Sequence, residues 1–256
     1  MVATLVGDLR RLGVRAGDVL VVHSSLSAIG YVVGGAQAVI DALLAAIGPE
    51  GTLTTPAHSS DWSDPAEWKA PPVPESWWPV IREECPAYDP YATPMRQMGA
   101  IPVALHGRRE TLRSDHPRLA HQALGPLAAH IVAPHPLAEG LGDAGPLGRL
   151  VSLDAKVVLV GVGYDTNTSL HLAETRATWP GKRVVHQGSA VLVAGERRWV
   201  TYTETDYDTG DFERLGAELE STGAVRIGRV GQATARLMRQ RDLVDFAVGW
   251  FARHRR

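Results

Sequence analysis

Residues 18–55, DVLVVHSSLSAIGYVVGGAQAVIDALLAAIGPEGTLTT, decide the fold class. Asp18 to Val22 reads as a buried strand, closed by His23-Ser24-Ser25. Gly34-Gly35 opens a helix, Ala36 to Ile47, which Gly48-Pro49 stops. Thr52 to Thr55 reads as the next strand. Strand, polar turn, helix and strand make a βαβ unit, so the two strands are expected to pair in parallel. A later stretch repeats the order: KVVLVGVGYDTNTSLHLAE, residues 156–174, has an apolar run, a polar loop and a helix. It places His171 just beyond a strand end, beside hydroxyl and backbone donors, and ligands of α/β proteins sit in such crevices.

Outward from these segments, residues 3–13 read as a helix with Leu5, Val6, Leu9 and Leu12 at helical spacing. Thr93-Pro94 opens a helix to about Leu105, 110–113 a short strand, and Gly125-Pro126 a helix over 126–132. A loop rich in Gly and Pro spans 133–149, then come strand 156–161 and helix 168–178. Runs 183–193 and 197–203 join around Ala194-Gly195-Glu196 as a hairpin. The chain beyond 209 reads as mostly helical, including 230–252. Residues 57–92, with seven prolines and four tryptophans, show no period and read as an insertion over a cleft or as a Trp-pinned surface loop. No domain boundary stands out, and 1–256 is expected to be one domain carrying that insertion.

The chain has 256 residues, 45% hydrophobic and 21% charged, an ordinary globular balance. A formal charge of −2 argues against a nucleic-acid partner bound through a basic field. Cys85 is the single cysteine, so no intrachain disulfide forms, and a cytoplasmic setting fits. The N-terminus reads as an amphipathic helix and not as a signal peptide. No stretch approaches the roughly 20 apolar residues of a membrane span, and no membrane partner is expected.

His171 is the leading candidate for chemistry, because an imidazole suits a general base. His171 and Glu174 lie three apart on one helix face, but a metal needs further ligands and no HxxH or CxxC pattern supplies them, so no metal is expected. Thr166, Asn167, Thr168 and Ser169 precede the helix as donors for an oxyanion or as caps. Gly161-x-Gly163 lacks the third glycine of a dinucleotide fingerprint. Ser24 and Ser25 close a strand without a G-x-S-x-G elbow, which favours hydrogen-bonding roles over nucleophilic ones. Arg113-Ser114-x-His116-Pro117 offers either a phosphate site or a loop-fixing ion pair. Glu204, Asp206, Asp208 and Asp211 crowd one segment, where they either orient a histidine, attract an amine-rich ligand or form a solvated acidic turn.

HSSL (23–26), Thr93-Pro94 with Met98-Gly99, RSxHP (113–117), the Gly125-Pro126 pair, LVGVGYDTNTSLHLAE (159–174) and the acidic segment 204–211 occur in this order. Together they resemble the aminoglycoside 3-N-acetyltransferase family, over nearly the whole chain. The resemblance implies an α/β fold, a central mixed, largely parallel sheet wrapped by helices. It implies acetyl transfer from acetyl-CoA to the 3-amino group of 2-deoxystreptamine aminoglycosides, with His171 as the base. Glu204 or Asp206 is then expected to orient His171, and Thr168 to serve the oxyanion. His23, Ser24, Ser25, Leu26, Met98, Arg113 and Ser114 are expected at the coenzyme, and Asp165, Glu174 and Asp208 at the acceptor. The alternatives are acetylation of another amine and a serine hydrolase using Ser24 or Ser25.

Overall fold

The structure, a computed structural model, describes residues 1–69 and 71–256. A seven-stranded sheet forms its centre, in the order β3-β4-β2-β1-β5-β9-β8. Its strands are β1 (Val19–Ser24), β2 (Thr52–Pro56), β3 (Leu112–Arg113), β4 (His121–Leu124), β5 (Lys156–Val160), β8 (Arg226–Val230) and β9 (Ala233–Arg239). β6 (Val184–Val193) and β7 (Glu196–Thr205) form a separate hairpin. β1 pairs in parallel with β2 and β5, as the βαβ reading requires, while β4 and β9 add antiparallel neighbours on either side. The sheet is therefore mixed, with β4 and β9 running against the other strands.

Alternation along β1 sorts the core into two layers. Val19 and Val21 face one layer with Val157 and Leu159, while Leu20 and Val22 face the other with Val158 and Val160. The second layer is covered by α1 (Val2–Leu12), α3 (Gly35–Ile47) and α5 (Ala100–His106). The first is covered by α6 (Ala128–Val132), α7 (Pro146–Ser152), α8 (Ser169–Arg176), α9 (Phe212–Ser221) and α10 (Gln240–His254). Among the described residues two short α-helices remain, α2 (Leu26–Ile29) after β1 and α4 (Trp78–Glu84) within 57–92. Among the described residues no helix is long and apolar enough to cross a membrane.

Three local expectations need correction. The helix expected from Thr93 begins only at Ala100, because Gln97 (φ 58°) and Gly99 (φ 80°) take left-handed backbone that no helix continues through. The Gly/Pro-rich 133–149 stretch already contains the start of α7, with Pro146 in its first turn. Residues 230–239 belong to a hairpin and not to a helix. Ala233, Ala235 and Leu237 alternate inward, and β9 pairs with β5 from Ala235 to Arg239.

Candidate active site

The parallel strands β1, β2 and β5 end on the same edge of the sheet, and their exits leave on opposite faces. The chain after β1 climbs to α3 on one layer, whereas the chain after β5 climbs to α8 on the other. This is a topological switch point, and it opens a crevice. A cleft of about 860 Å³ occupies it, walled by Ser24, Ser25, Tyr31, Met98, Thr168 and His171 among others. Gly161 makes the exit of β5 possible: it sits at φ 67°, and a Cβ there would overlap that of Ala28.

His171 lies in the first turn of α8, preceded by Thr168 at the cap position. The Ser169 N–H donates to the Asn167 side chain at 3.2 Å, so Asn167 fixes the turn. The imidazole Nδ1–H donates to Glu174 Oε2 at 2.5 Å. Glu174 is fully buried, and its Oε1 accepts from the Asp208 N–H at 3.0 Å and from Arg255. The ring rests between Tyr207 and Phe212, with centroids 4.9 and 5.2 Å away. With Nδ1 held by the carboxylate, Nε2 carries the lone pair and is the nitrogen left for the cleft.

Of the residues picked out from the sequence, His171, Thr168, Asp165, His23, Ser24, Ser25, Leu26 and Met98 all line the cleft. Ser25 is engaged locally, since its Oγ accepts from the Ala28 N–H at 3.4 Å and pairs with Ser27 Oγ at 3.0 Å. Burial, together with His121 and His171 nearby, lowers the His23 imidazole to about 3, so this wall group is neutral.

The carboxylate on His171 is neither Glu204 nor Asp206. Glu204 is fully buried against Arg118, with His116 Nε2 at 3.5 Å. Burial would raise its carboxyl, but His116 and Arg118 outweigh that and hold it below the usual range. Asp206 pairs with Arg183 at 2.6 Å beside a separate hollow of about 280 Å³, where Asp208 also lies. Asp208 reaches the site through its backbone N–H on Glu174, while its side chain accepts from Gly210. Glu174 itself, with no exposed surface, holds the imidazole and cannot meet an acceptor.

Arg113 and Ser114 are not in the cleft either. Arg113 is buried and spends its guanidinium on the Ala57 and Thr93 carbonyls, at 2.7 and 2.6 Å, and on Ser59 Oγ at 2.6 Å. It thereby clasps the two ends of the 57–92 insertion. Ser114 Oγ accepts from the His121 N–H and meets His135 Nδ1 at 2.8 Å. Among the described residues of the insertion only His58 reaches the cleft. The rest leans on the hairpin: Ser189 Oγ donates to the Trp62 carbonyl, Tyr88 N–H to Ala190, and Arg197 to Cys85. The Trp-pinned reading describes it better than a cover over the cleft.

Sequence reading missed Tyr31, His58, Tyr207 and Arg255. The glycines 30, 34 and 35 around Tyr31 were a usable signal, because all three take positive φ and Gly30 and Gly35 line the cleft. Arg255 gave none, being 81 residues from the carboxylate it meets.

The sequence model described as aminoglycoside 3-N-acetyltransferase matches residues 21–252. A crystal structure of YokD from Bacillus subtilis, an SPbeta prophage-derived aminoglycoside N(3')-acetyltransferase-like protein, superposes with a TM-score of 0.95 at 40% identity. That match covers 99% of this chain and 93% of the other. The AAC-IIIb binary complex with CoASH gives 0.89 at 30% identity, covering 99% of this chain and 96% of that one. AAC-VIa bound to sisomicin gives 0.89 at 33%, covering 100% and 98%. The geometry and these matches agree: the chain belongs to the aminoglycoside 3-N-acetyltransferase family.

Proposed function

We propose that the protein transfers the acetyl group of acetyl-CoA directly to the 3-amino group of a 2-deoxystreptamine aminoglycoside, with His171 as general base. One observation carries this reading: an imidazole held by a buried carboxylate presents its second nitrogen to a large cleft at the strand ends. The family match, the coenzyme in AAC-IIIb and the sisomicin in AAC-VIa support the choice of donor and acceptor.

The acceptor nitrogen attacks the thioester carbon once it is uncharged. His171 Nε2 takes the proton that the nitrogen sheds as the N–C bond forms, and Glu174 stabilises the resulting imidazolium. The tetrahedral oxyanion draws on Thr168 or on the backbone N–H groups at the start of α8. Its collapse breaks the C–S bond, and the imidazolium returns the proton to the leaving thiolate. The products are an amide and free CoA. The serine-hydrolase alternative finds no support, because Ser25 is occupied in capping α2 and Ser24 Oγ has no hydrogen-bond partner among the described residues.

The test is thiol release from acetyl-CoA with gentamicin-, kanamycin- and apramycin-like acceptors, followed by NMR location of the new amide. His171→Ala is expected to lose at least about a hundredfold in turnover while keeping its fold. Near-normal turnover in that variant removes His171 from the reaction. An acceptor acetylated elsewhere than at the 3-amino group overturns the regiochemistry.

A further inference from the structure

Arg255 lies beyond the residues that the family's sequence model matches, 21–252, yet it reaches the catalytic pair. α10 ends at His254, and the next side chain turns back beneath α8. Its Nη1 donates to Glu174 Oε1, its Nε and Nη2 hold Asp211 at 2.8 and 2.6 Å, and Nη2 also donates to the Asp208 carbonyl at 2.7 Å. The guanidinium lies 4.1 Å from the Phe251 centroid and 5.2 Å from that of Trp179. Its side chain is 10% exposed. Burial works against the cation, but Asp211 and Glu174 outweigh it and fix the charge in place.

We propose that Arg255 is a positioning residue for the base, one that fixes the Glu174 carboxylate and limits how far this carboxylate favours protonated His171. The inference rests on the reading of His171 as the base. A buried carboxylate whose only ionic partner is an imidazole strongly favours the imidazolium. An imidazolium has no lone pair with which to accept a proton from an amine. A guanidinium on the second carboxylate oxygen shares the negative charge and leaves the imidazole free to cycle between its two forms. It also stops the carboxylate from rotating, which holds the direction of Nδ1–H and therefore of Nε2.

Other groups around the pair do not duplicate this contact. Tyr207 lies tilted against His171 from the 204–211 segment, and His23 and His58 act on it from the ends of β1 and β2. Asp165 lines the cleft from the loop before α8. Asp208 gives Glu174 only its backbone N–H, and the Asp211 carboxylate is turned to Arg255. Lys182 acts on Glu174 at longer range, with its Nζ donating to the Thr175 and Ala177 carbonyls.

The experiment is steady-state acetyl transfer to an aminoglycoside from about pH 5 to 9, with thermal unfolding run on every variant. Arg255→Met is expected to lower kcat about tenfold near neutral pH and to move the acidic limb of the kcat profile up by about one pH unit. The KM for acetyl-CoA is expected to stay within about twofold, because Arg255 is not among the residues lining the cleft. Arg255→Lys keeps the charge and leaves the limb near its original position. Asp211→Asn removes the acid that competes with Glu174 for the Arg255 charge and is expected to move the limb the opposite way by less, which keeps the test available if Arg255→Met does not fold. Limbs of Arg255→Met or Asp211→Asn that superimpose on the unsubstituted enzyme overturn the inference. If His171→Ala is inactive while those limbs stay put, only this inference fails; if His171→Ala turns over normally, the reading beneath it fails.

Discussion

Among the described residues Glu174 and Glu204 are both fully buried, and their neighbours give them different work. Glu174 shares one face of α8 with His171 and meets it through Oε2. Glu204 sits on β7 against Arg118, with His116 at its other carboxylate oxygen. Substitution separates the two roles. Glu174→Gln is expected to lower kcat of the folded enzyme by about tenfold or more, because the amide no longer stabilises an imidazolium. Glu204→Gln leaves a half-buried Arg118 without its carboxylate and is expected to cost about 2 kcal/mol of folding stability, with kcat per folded molecule nearly unchanged. Urea titration and active-site-normalised kinetics distinguish them; a turnover loss confined to Glu204→Gln reverses the assignment.

At the scale of elements, the 57–92 insertion is held by its two ends and by the β6–β7 hairpin. Arg113 on β3 gathers the carbonyls of Ala57 and Thr93, and the Tyr88 ring lies 5.3 Å from its guanidinium. No carboxylate pairs with this cation among the described residues, and burial pushes it below its ordinary range. Its hold is thus a set of charge-assisted hydrogen bonds to backbone. Arg113→Met is expected to raise hydrogen exchange at residues near both ends of the insertion, 57–62 and 88–96, more than in the hairpin. Exchange unchanged there means that Trp62 and Tyr88 suffice to pin the segment. Because His58 lines the cleft, loosening the base of the insertion also disturbs the wall beside His171.

At the scale of the molecule, acid is the expected weakness. Burial lowers His121 to about 4 and His23 to about 3, and holds His58 and His135 well below their ordinary value. Each of these imidazoles is neutral when folded and takes a proton near pH 6.5 when unfolded. The unfolded state therefore binds more protons below that pH, so folding stability is intact above it and falls as the pH drops toward about 4. The slope is roughly 1.4 kcal/mol per pH unit for each such histidine. Denaturant midpoints are expected to fall steeply between pH 6.5 and 4.5, and His121→Gln should flatten the fall. A midpoint constant across that window contradicts neutral burial of these rings.

The sequence by itself determined the βαβ core, the strand–loop–helix that carries His171, and the long hairpin. In each of these the pattern of apolar residues matches one local period, and Gly or Pro marks the ends. It also determined the family, through the 159–174 stretch. It did not determine which acid serves His171. The partner was three residues away on the same helix, while the conspicuous acids of 204–211 mostly find arginines: Arg118, Arg183 and Arg255. Only the tertiary structure decided that, because pairing between charges depends on distance and burial across elements remote in sequence. The same holds for β9, whose helical-looking spacing gave way to pairing with β5, and for Arg113, a surface-type residue drawn inside by carbonyls that no local pattern announces.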